Sequence, residues 1–119
     1  DNKYGGLFSF VDLENKPPEK PEWDMKFWWP HTEALYAALL AYYLSGDTKF
    51  EAMYEQVHEW AFKHFPDTEY GEWYGYLHRD GSISIPVKGS LWKGPFHLSR
   101  QLLYGIKLLD MIENEQNCF

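Results

Sequence analysis

The hydrophobic pattern of the chain predicts two kinds of helix in its first half. Apart from Glu33, the segment 32–45 carries no charged side chain, so a helix there has no face suited to water and must be covered on all sides. The segment 48–64 instead places apolar and charged residues at helical spacing, which is typical of a helix with one solvent-facing side. Gly46 can end the first helix and Asp47 can cap the second. We therefore expect an inner helix followed by an outer helix.

A β-hairpin is predicted over residues 72–88. Asp80 and Gly81 form a favoured two-residue turn, and apolar residues then alternate on one side at Ile83, Ile85 and Val87. Pro86 has no N–H group to donate to a central strand pair, which favours an edge strand.

A third helix is predicted over about 98–114, and its broad apolar surface contains Leu102, Leu103, Ile106, Leu109 and Ile112. This surface favours another inner helix. Alternation of apolar and amphipathic helices is what two concentric rings of helices require. A closed ring of six units, each with the 66-residue period described below, would need roughly 400 residues. The pattern therefore predicts an all-α fold with a hairpin insertion, of which this chain is a part.

Two stretches of the chain resemble each other. The Tyr-Gly pair that begins at Tyr4 recurs at Tyr70, and His31 recurs at His97, each time 66 residues later. Repeated spacing at two landmarks indicates one structural unit used twice. Because each histidine would stand at the start of an inner helix, we expect both at the same end of the helical layer.

Composition and charge narrow the classes of function. The chain has 119 residues, of which 45% are hydrophobic and 19% aromatic, enough to build a core. A net charge of -7 argues against binding to nucleic acid or to an anionic membrane and favours a neutral ligand. No apolar run reaches the length of about 20 residues that a bilayer requires. The single cysteine, Cys118, cannot form an internal disulfide, so we expect a cytoplasmic protein.

Several residues near the two histidines could carry chemistry. His31 and His97 could exchange protons near neutral pH, although either could instead cap a helix or pack in the core. Glu33 could bind a polyhydroxylated ligand, or could simply favour a first helical turn. Arg100, one turn after His97, could stabilise an enolate, whereas for Lys93 we favour ordinary solvation or a salt bridge.

Aromatic residues around the histidines could form a sugar site. Indole rings are good platforms for the C–H faces of sugars, so we expect Trp28 and Trp29 to contribute to substrate binding. The histidines lack the paired spacing of a zinc site, and no glycine-rich phosphate loop is found in the sequence. We therefore expect neither a metal nor a bound cofactor.

Three motifs carry a family resemblance. Trp-Trp-Pro-His-Thr-Glu-Ala at 28–34, Tyr-Gly-Glu-Trp-Tyr-Gly-Tyr-Leu at 70–77 and Lys-Gly-Pro-Phe-His-Leu-Ser-Arg at 93–100 resemble successive C-terminal motifs of the N-acylglucosamine 2-epimerase (renin-binding protein) family. The similarity extends over nearly the whole chain. It implies that residues 1–119 are the C-terminal segment of a single epimerase domain with the fold of an (α/α)6 barrel.

The resemblance also implies roles for individual residues. His97 matches a catalytic histidine of the family, Glu33 a glutamate that lines the sugar site, and Arg100 an arginine of the last motif. His31 is a weaker match, because relatives can carry another residue there. A second catalytic histidine belongs to a part of the family sequence that this chain does not include, so we expect the isolated segment to be inactive.

The implied function is interconversion of N-acyl-D-glucosamine and N-acyl-D-mannosamine by proton transfer at C2. Alternatives within the fold are an epimerase for mannose, glucose or cellobiose and an aldose-ketose isomerase. A non-catalytic interaction protein of the renin-binding type is an alternative from another class. The expected partners are a small sugar, the rest of the epimerase chain and a second copy in a homodimer.

Overall fold

The computed structural model describes residues 1–116, so the expectation that depends on Cys118 lies outside the described residues. Its elements, in chain order, are a short 3-10 helix Pro21–Asp24, strand β1 Lys26–Phe27, helices α1 Trp28–Ser45 and α2 Thr48–His64, strands β2 Tyr76–Leu77 and β3 Ile83–Ile85, and helix α3 Phe96–Gln116. The described chain is mostly helical and carries a small hairpin, as the sequence predicts. None of its described helices is long and apolar enough to cross a membrane.

Helix α1 begins four residues earlier than the predicted residue 32. Trp28 is its first residue, which places Pro30 in the first turn, where the missing N–H of proline costs no intrahelical bond. The N–H of Trp28 donates to the carbonyl of Gly75 at 3.1 Å, so the start of the helix is fixed to the hairpin.

The junction between α1 and α2 follows the prediction. Gly46 adopts a left-handed φ of 66° and its N–H donates to the carbonyl of Tyr42 at 2.8 Å, which ends α1. The side chain of Asp47 accepts from the N–H of Lys49 at 3.0 Å and caps α2. Both helix boundaries are therefore set by the two residues that the sequence singled out.

The structure agrees only in part with the prediction that α1 is an inner helix and α2 an outer helix. Helix α1 packs against both α2 and α3, but Leu44 remains 73% exposed, so α1 is not covered on all sides by the described residues. On α2, Trp60 and Ala61 are buried, while the apolar Met53 is 53% exposed.

The hairpin is part of a three-stranded antiparallel sheet in the order β1-β2-β3, and β3 is the edge strand that Pro86 predicted. Its turn is longer than the expected two residues. The N–H of His78 donates to the carbonyl of Ser82 at 2.8 Å, which leaves three residues in the loop. Gly81 adopts a φ of 92°, the left-handed geometry that a three-residue loop requires at this place.

The predicted repeat is present in the backbone of two turns. Gly5 and Gly6 have φ angles of 72° and 65°, and their equivalents Gly71 and Glu72 have φ angles of 74° and 66°. In each turn the N–H of the first glycine donates, at 2.9 Å, to the carbonyl oxygen four residues earlier. The 66-residue offset therefore corresponds to one turn built twice.

Each of these turns also binds a lysine. The Asp1 carboxylate and the Gly5 carbonyl both accept from the Lys26 ammonium, which is completely buried. In the second turn the carboxylate of Asp67 accepts from Lys88 at 2.7 Å, and the Gly71 carbonyl accepts at 2.9 Å. The lysine therefore neutralises the turn's carboxylate and satisfies one of its carbonyls in both copies.

The core lies between α1, α2 and the sheet. Its buried residues are Phe27, Trp28, Leu35, Trp60, Ala61, Phe65, Trp73, Leu77 and Leu98. The rings of Phe65 and Trp73 stack with centroids 5.3 Å apart and an interplanar angle of 7°. Helix α3 contributes little to this core, because Leu102, Leu103, Ile106 and Leu109 are 40%, 53%, 59% and 39% exposed.

Candidate active site

The N-terminal ends of α1 and α3 bring together three of the predicted site residues. His97 Nδ1 lies 2.7 Å from Glu33 Oε1, and Arg100 Nη2 donates to Glu33 Oε2. The side chains of His97 and Glu33 are each 33% exposed. The two helix starts therefore lie at the same end of the layer, as the repeat predicted, and a carboxylate joins the histidine to the arginine.

The Glu33 carboxylate determines which nitrogen of His97 carries a proton. Burial raises the pKa of Glu33, but hydrogen bonds from Arg100 and His97 outweigh it and hold that pKa below its ordinary value. An ionised carboxylate can only accept hydrogen bonds, so Nδ1 of His97 must be the donor. Neutral His97 consequently has an unprotonated Nε2, which is the nitrogen able to accept a proton.

An aromatic pocket of about 740 Å³ lies beside His97. Its walls include Phe27, Trp28, Trp29, Tyr76 and Trp92. The rings of Trp28 and Trp29 lie with their centroids 6.3 Å and 6.0 Å from that of His97. Such walls suit the apolar faces of a sugar ring.

His31 lies elsewhere, in the core between α1 and α2. It is completely buried, with its ring stacked on Trp60 at 5.0 Å. Its Nε2 accepts from the N–H of Leu7 at 2.9 Å, so Nδ1 carries the proton and donates to the carbonyl of Phe27 at 2.7 Å. Burial is the main cause that lowers the pKa of His31 to about 4. A substrate-binding role for His31 stays a prediction, and these contacts favour a structural role.

Other parts of the site could not be read from the sequence. Tyr76 and Glu22 also line the pocket, but no spacing connects either residue to His97. Lys93, for which we expected ordinary solvation or a salt bridge, pairs with Glu72 at 3.0 Å, but its side chain is only 3% exposed and is therefore not solvated. Within residues 1–116, no group of three or more His, Cys, Asp or Glu side chains is arranged to hold a metal ion.

Comparison with known sequences identifies the family. The profile of N-acylglucosamine 2-epimerase (GlcNAc 2-epimerase) matches residues 1–98. The chain belongs to the N-acylglucosamine 2-epimerase family. Over 102 residues it is 48% identical to the N-acylglucosamine 2-epimerase of Homo sapiens and 47% identical to that of Rattus norvegicus. This match covers 86% of the chain but only 24% of either relative.

Two solved structures resemble this family member. It matches a cellobiose 2-epimerase from Spirochaeta thermophila DSM 6192 with a TM-score of 0.68 and 31% identity, over 74% of this chain and 22% of that one. It matches a D-mannose isomerase with a TM-score of 0.77 and 23% identity, over 93% of this chain and 27% of that one. The second likeness concerns the fold alone.

Proposed function

We propose that this chain forms part of the active site of a sugar 2-epimerase that interconverts N-acyl-D-glucosamine and N-acyl-D-mannosamine. The observation that carries the proposal is the network of His97, Glu33 and Arg100 beside an aromatic pocket. Identity of 48% to a protein named N-acylglucosamine 2-epimerase favours the N-acyl sugars over cellobiose, for which the identity is 31%.

The proposed architecture is a C-terminal segment, residues 1–119, of a single (α/α)6-barrel domain. In it α1 and α3 are inner helices and α2 is an outer helix. Two observations support this arrangement: the half-exposed leucines and isoleucine of α3, and relatives about four times as long as the match. Further barrel helices would cover the apolar side of α3.

The proposed reaction begins with the open-chain sugar, in which the C1 carbonyl acidifies the proton on C2. Nε2 of His97 removes this proton, and the electron pair of the broken C–H bond forms a C1–C2 double bond as the C1 carbonyl electrons move to the oxygen, which gives an enolate. A second acid, which in this proposal lies outside the chain, then delivers a proton to the other face of C2 and restores the carbonyl.

The neighbours of His97 support these proton transfers. Glu33 holds the required tautomer and stabilises the imidazolium that forms when His97 accepts the proton. Arg100 balances the charge of Glu33. In this proposal Trp28 and Trp29 hold the sugar against the pocket wall, so that C2 lies within reach of His97.

A substitution in the complete protein, meaning the longer natural chain in which this segment is proposed to lie, tests the function. His97→Ala should lower kcat for conversion of N-acetylmannosamine to N-acetylglucosamine by about 10²- to 10⁴-fold, because a positioned acid-base group is lost. The matched control is His78→Ala, an exposed histidine at the hairpin turn, which should keep normal activity.

Solvent isotope incorporation provides an independent measurement. In deuterium oxide the product should carry deuterium at C2, because the new proton comes from the second acid, whose own proton exchanges with the solvent. Mannose and cellobiose should be tested as substrates alongside the N-acetyl sugars. Unchanged activity of His97→Ala, or product without deuterium, would contradict the proposed mechanism.

A further inference from the structure

Lys93 is a buried cation that the proposed reaction does not use. Its side chain is 3% exposed, and its ammonium donates to Glu72 Oε1 at 3.0 Å and to the carbonyl of Lys88 at 2.9 Å. The nitrogen also lies 5.8 Å from the ring centroid of Trp28. A buried charge is costly unless it is paired. The contacts of Lys93 connect the loop before α3 to the turn at Glu72 and to Trp28, the first residue of α1.

The path of the Lys93 side chain depends on Gly75. A Cβ atom at this glycine would lie 2.8 Å from Lys93 Cδ and 3.5 Å from Trp28 Cε3. The aliphatic stem of the lysine is therefore packed between the backbone of the hairpin and the indole. Since the indole Nε1 of Trp28 has no hydrogen-bond partner among the described residues, packing and the cation must hold this ring in place.

The partner of Lys93 is held in an unusual conformation. Glu72 has a φ of 66°, and its Oε1 also accepts from the N–H of Trp73 at 2.8 Å. Non-glycine residues adopt such a φ only where their surroundings compensate its cost. The two hydrogen bonds to Oε1 provide that compensation and give Lys93 a rigid anchor.

Lys93 also closes the loop that leads into α3. Its N–H donates to the hydroxyl of Ser90 at 3.0 Å, and its carbonyl accepts from the Ser90 N–H at 3.2 Å. Helix α3 begins three residues after Lys93, and His97 is its second residue. The backbone and the side chain of Lys93 therefore both fix the position of the loop before α3, and with it the position of His97.

We propose that Lys93 is a positioning residue for His97: its buried ammonium ties the loop before α3 to Glu72 and Trp28 and so holds the imidazole beside the pocket. This inference rests on the proposed function. A displacement of about 1 Å at a reacting group can cost about 10²-fold in rate, so a positioning role has a measurable consequence.

The test uses the complete protein and Lys93→Met, which keeps most of the aliphatic stem and removes the charge. We expect kcat for N-acetylmannosamine to fall about 10- to 100-fold while KM changes less than about threefold. Lys63→Met, at an exposed lysine of α2, is the matched control and should keep normal kinetics. Near-ultraviolet circular dichroism at the assay temperature measures the folded fraction of each variant.

A merely structural role predicts that kcat per folded molecule stays normal, and that result would overturn the inference. If Lys93→Met does not fold, Glu72→Gln provides the second variant, since it keeps the shape of the anchor and removes its charge. A fall of at least threefold in kcat per folded molecule then supports the inference, and an unchanged value overturns it. Absence of epimerase activity in the unmodified protein would overturn both proposals, whereas activity that depends on His97 but not on Lys93 would overturn only this one.

Discussion

The link between Glu33 and His97 makes one substitution especially informative. Glu33 accepts from His97 with one oxygen and from Arg100 with the other. In Glu33→Gln only one acceptor oxygen remains. If that oxygen faces Arg100, the amide NH2 faces Nδ1 of His97 and selects the tautomer protonated at Nε2, which cannot accept a proton from the sugar. If it faces His97, the NH2 group meets the guanidinium, and two donors oppose each other.

Either arrangement should cost catalysis rather than folding. Replacing the carboxylate behind a catalytic histidine with an amide is known to cost up to about 10⁴-fold through the wrong tautomer. Because the side chain of Glu33 is one-third exposed, water can relieve part of the mismatch, and we expect a loss of about 10²- to 10⁴-fold in kcat. This range corresponds to about 3 to 5 kcal/mol in activation free energy.

The assay measures kcat and KM for N-acetylmannosamine in the complete protein. The control is Glu59→Gln, the same change at an exposed position of α2, which should leave both constants unchanged. Near-ultraviolet circular dichroism establishes that the variants are folded. A kcat for Glu33→Gln within threefold of normal would refute the tautomer argument, and His97 would then need another source of orientation.

Two further predictions concern the stability of the core. Gly6→Ala should lower the free energy of unfolding by about 2 to 4 kcal/mol, since φ is 65° and the new Cβ would lie 2.7 Å from the Trp60 ring. Urea denaturation measures this change, and the control is Gly89→Ala, because no atom lies within 4 Å of the Cβ that it adds. The fold lowers the pKa of His31 from 6.5 to about 4, so between pH 6.5 and 4 the His31 imidazole is protonated in the unfolded chain but not in the folded one. Stability should therefore fall by up to about 3 kcal/mol as the pH decreases through this window, and an equally steep fall in His31→Gln would contradict the assignment.

The sequence predicts an element well where the deciding interaction is local. The start of α2 follows from Asp47, which caps it, and its end at His64 follows from Pro66, two residues later, which cannot continue a helix. The predicted start of α1 at residue 32 was wrong, because the apolar pattern does not show that the Trp28 N–H bonds to the hairpin and so starts the helix at Trp28. That bond joins residues distant in sequence, so no local rule could have predicted it.

In the candidate site, too, local relations could be predicted and long-range ones could not. His97 and Arg100 share one helix, and their spacing alone places them together. Glu33 was singled out because it lies two residues after His31 on an otherwise apolar segment, and because it matches a glutamate of the family's sugar site. The lysine partners were missed, because Lys26, Lys88 and Lys93 bind carboxylates 21 to 25 residues earlier in the chain, and no periodicity marks such pairs.

The two units of the repeat differ in the group that accepts a hydrogen bond from the backbone of the turn. In the first unit the N–H of Leu7 donates to Nε2 of His31, and the imidazole serves as an acceptor within the core. The equivalent N–H in the second unit, 66 residues later, is that of Trp73, and it donates to the carboxylate of Glu72 instead. Glu72 stands where the first unit has a glycine, which has no side chain to accept this bond. The carboxylate thus replaces the imidazole as the acceptor of the turn, so Nε2 of His97 is free of this bond, as the proposed role in proton transfer requires.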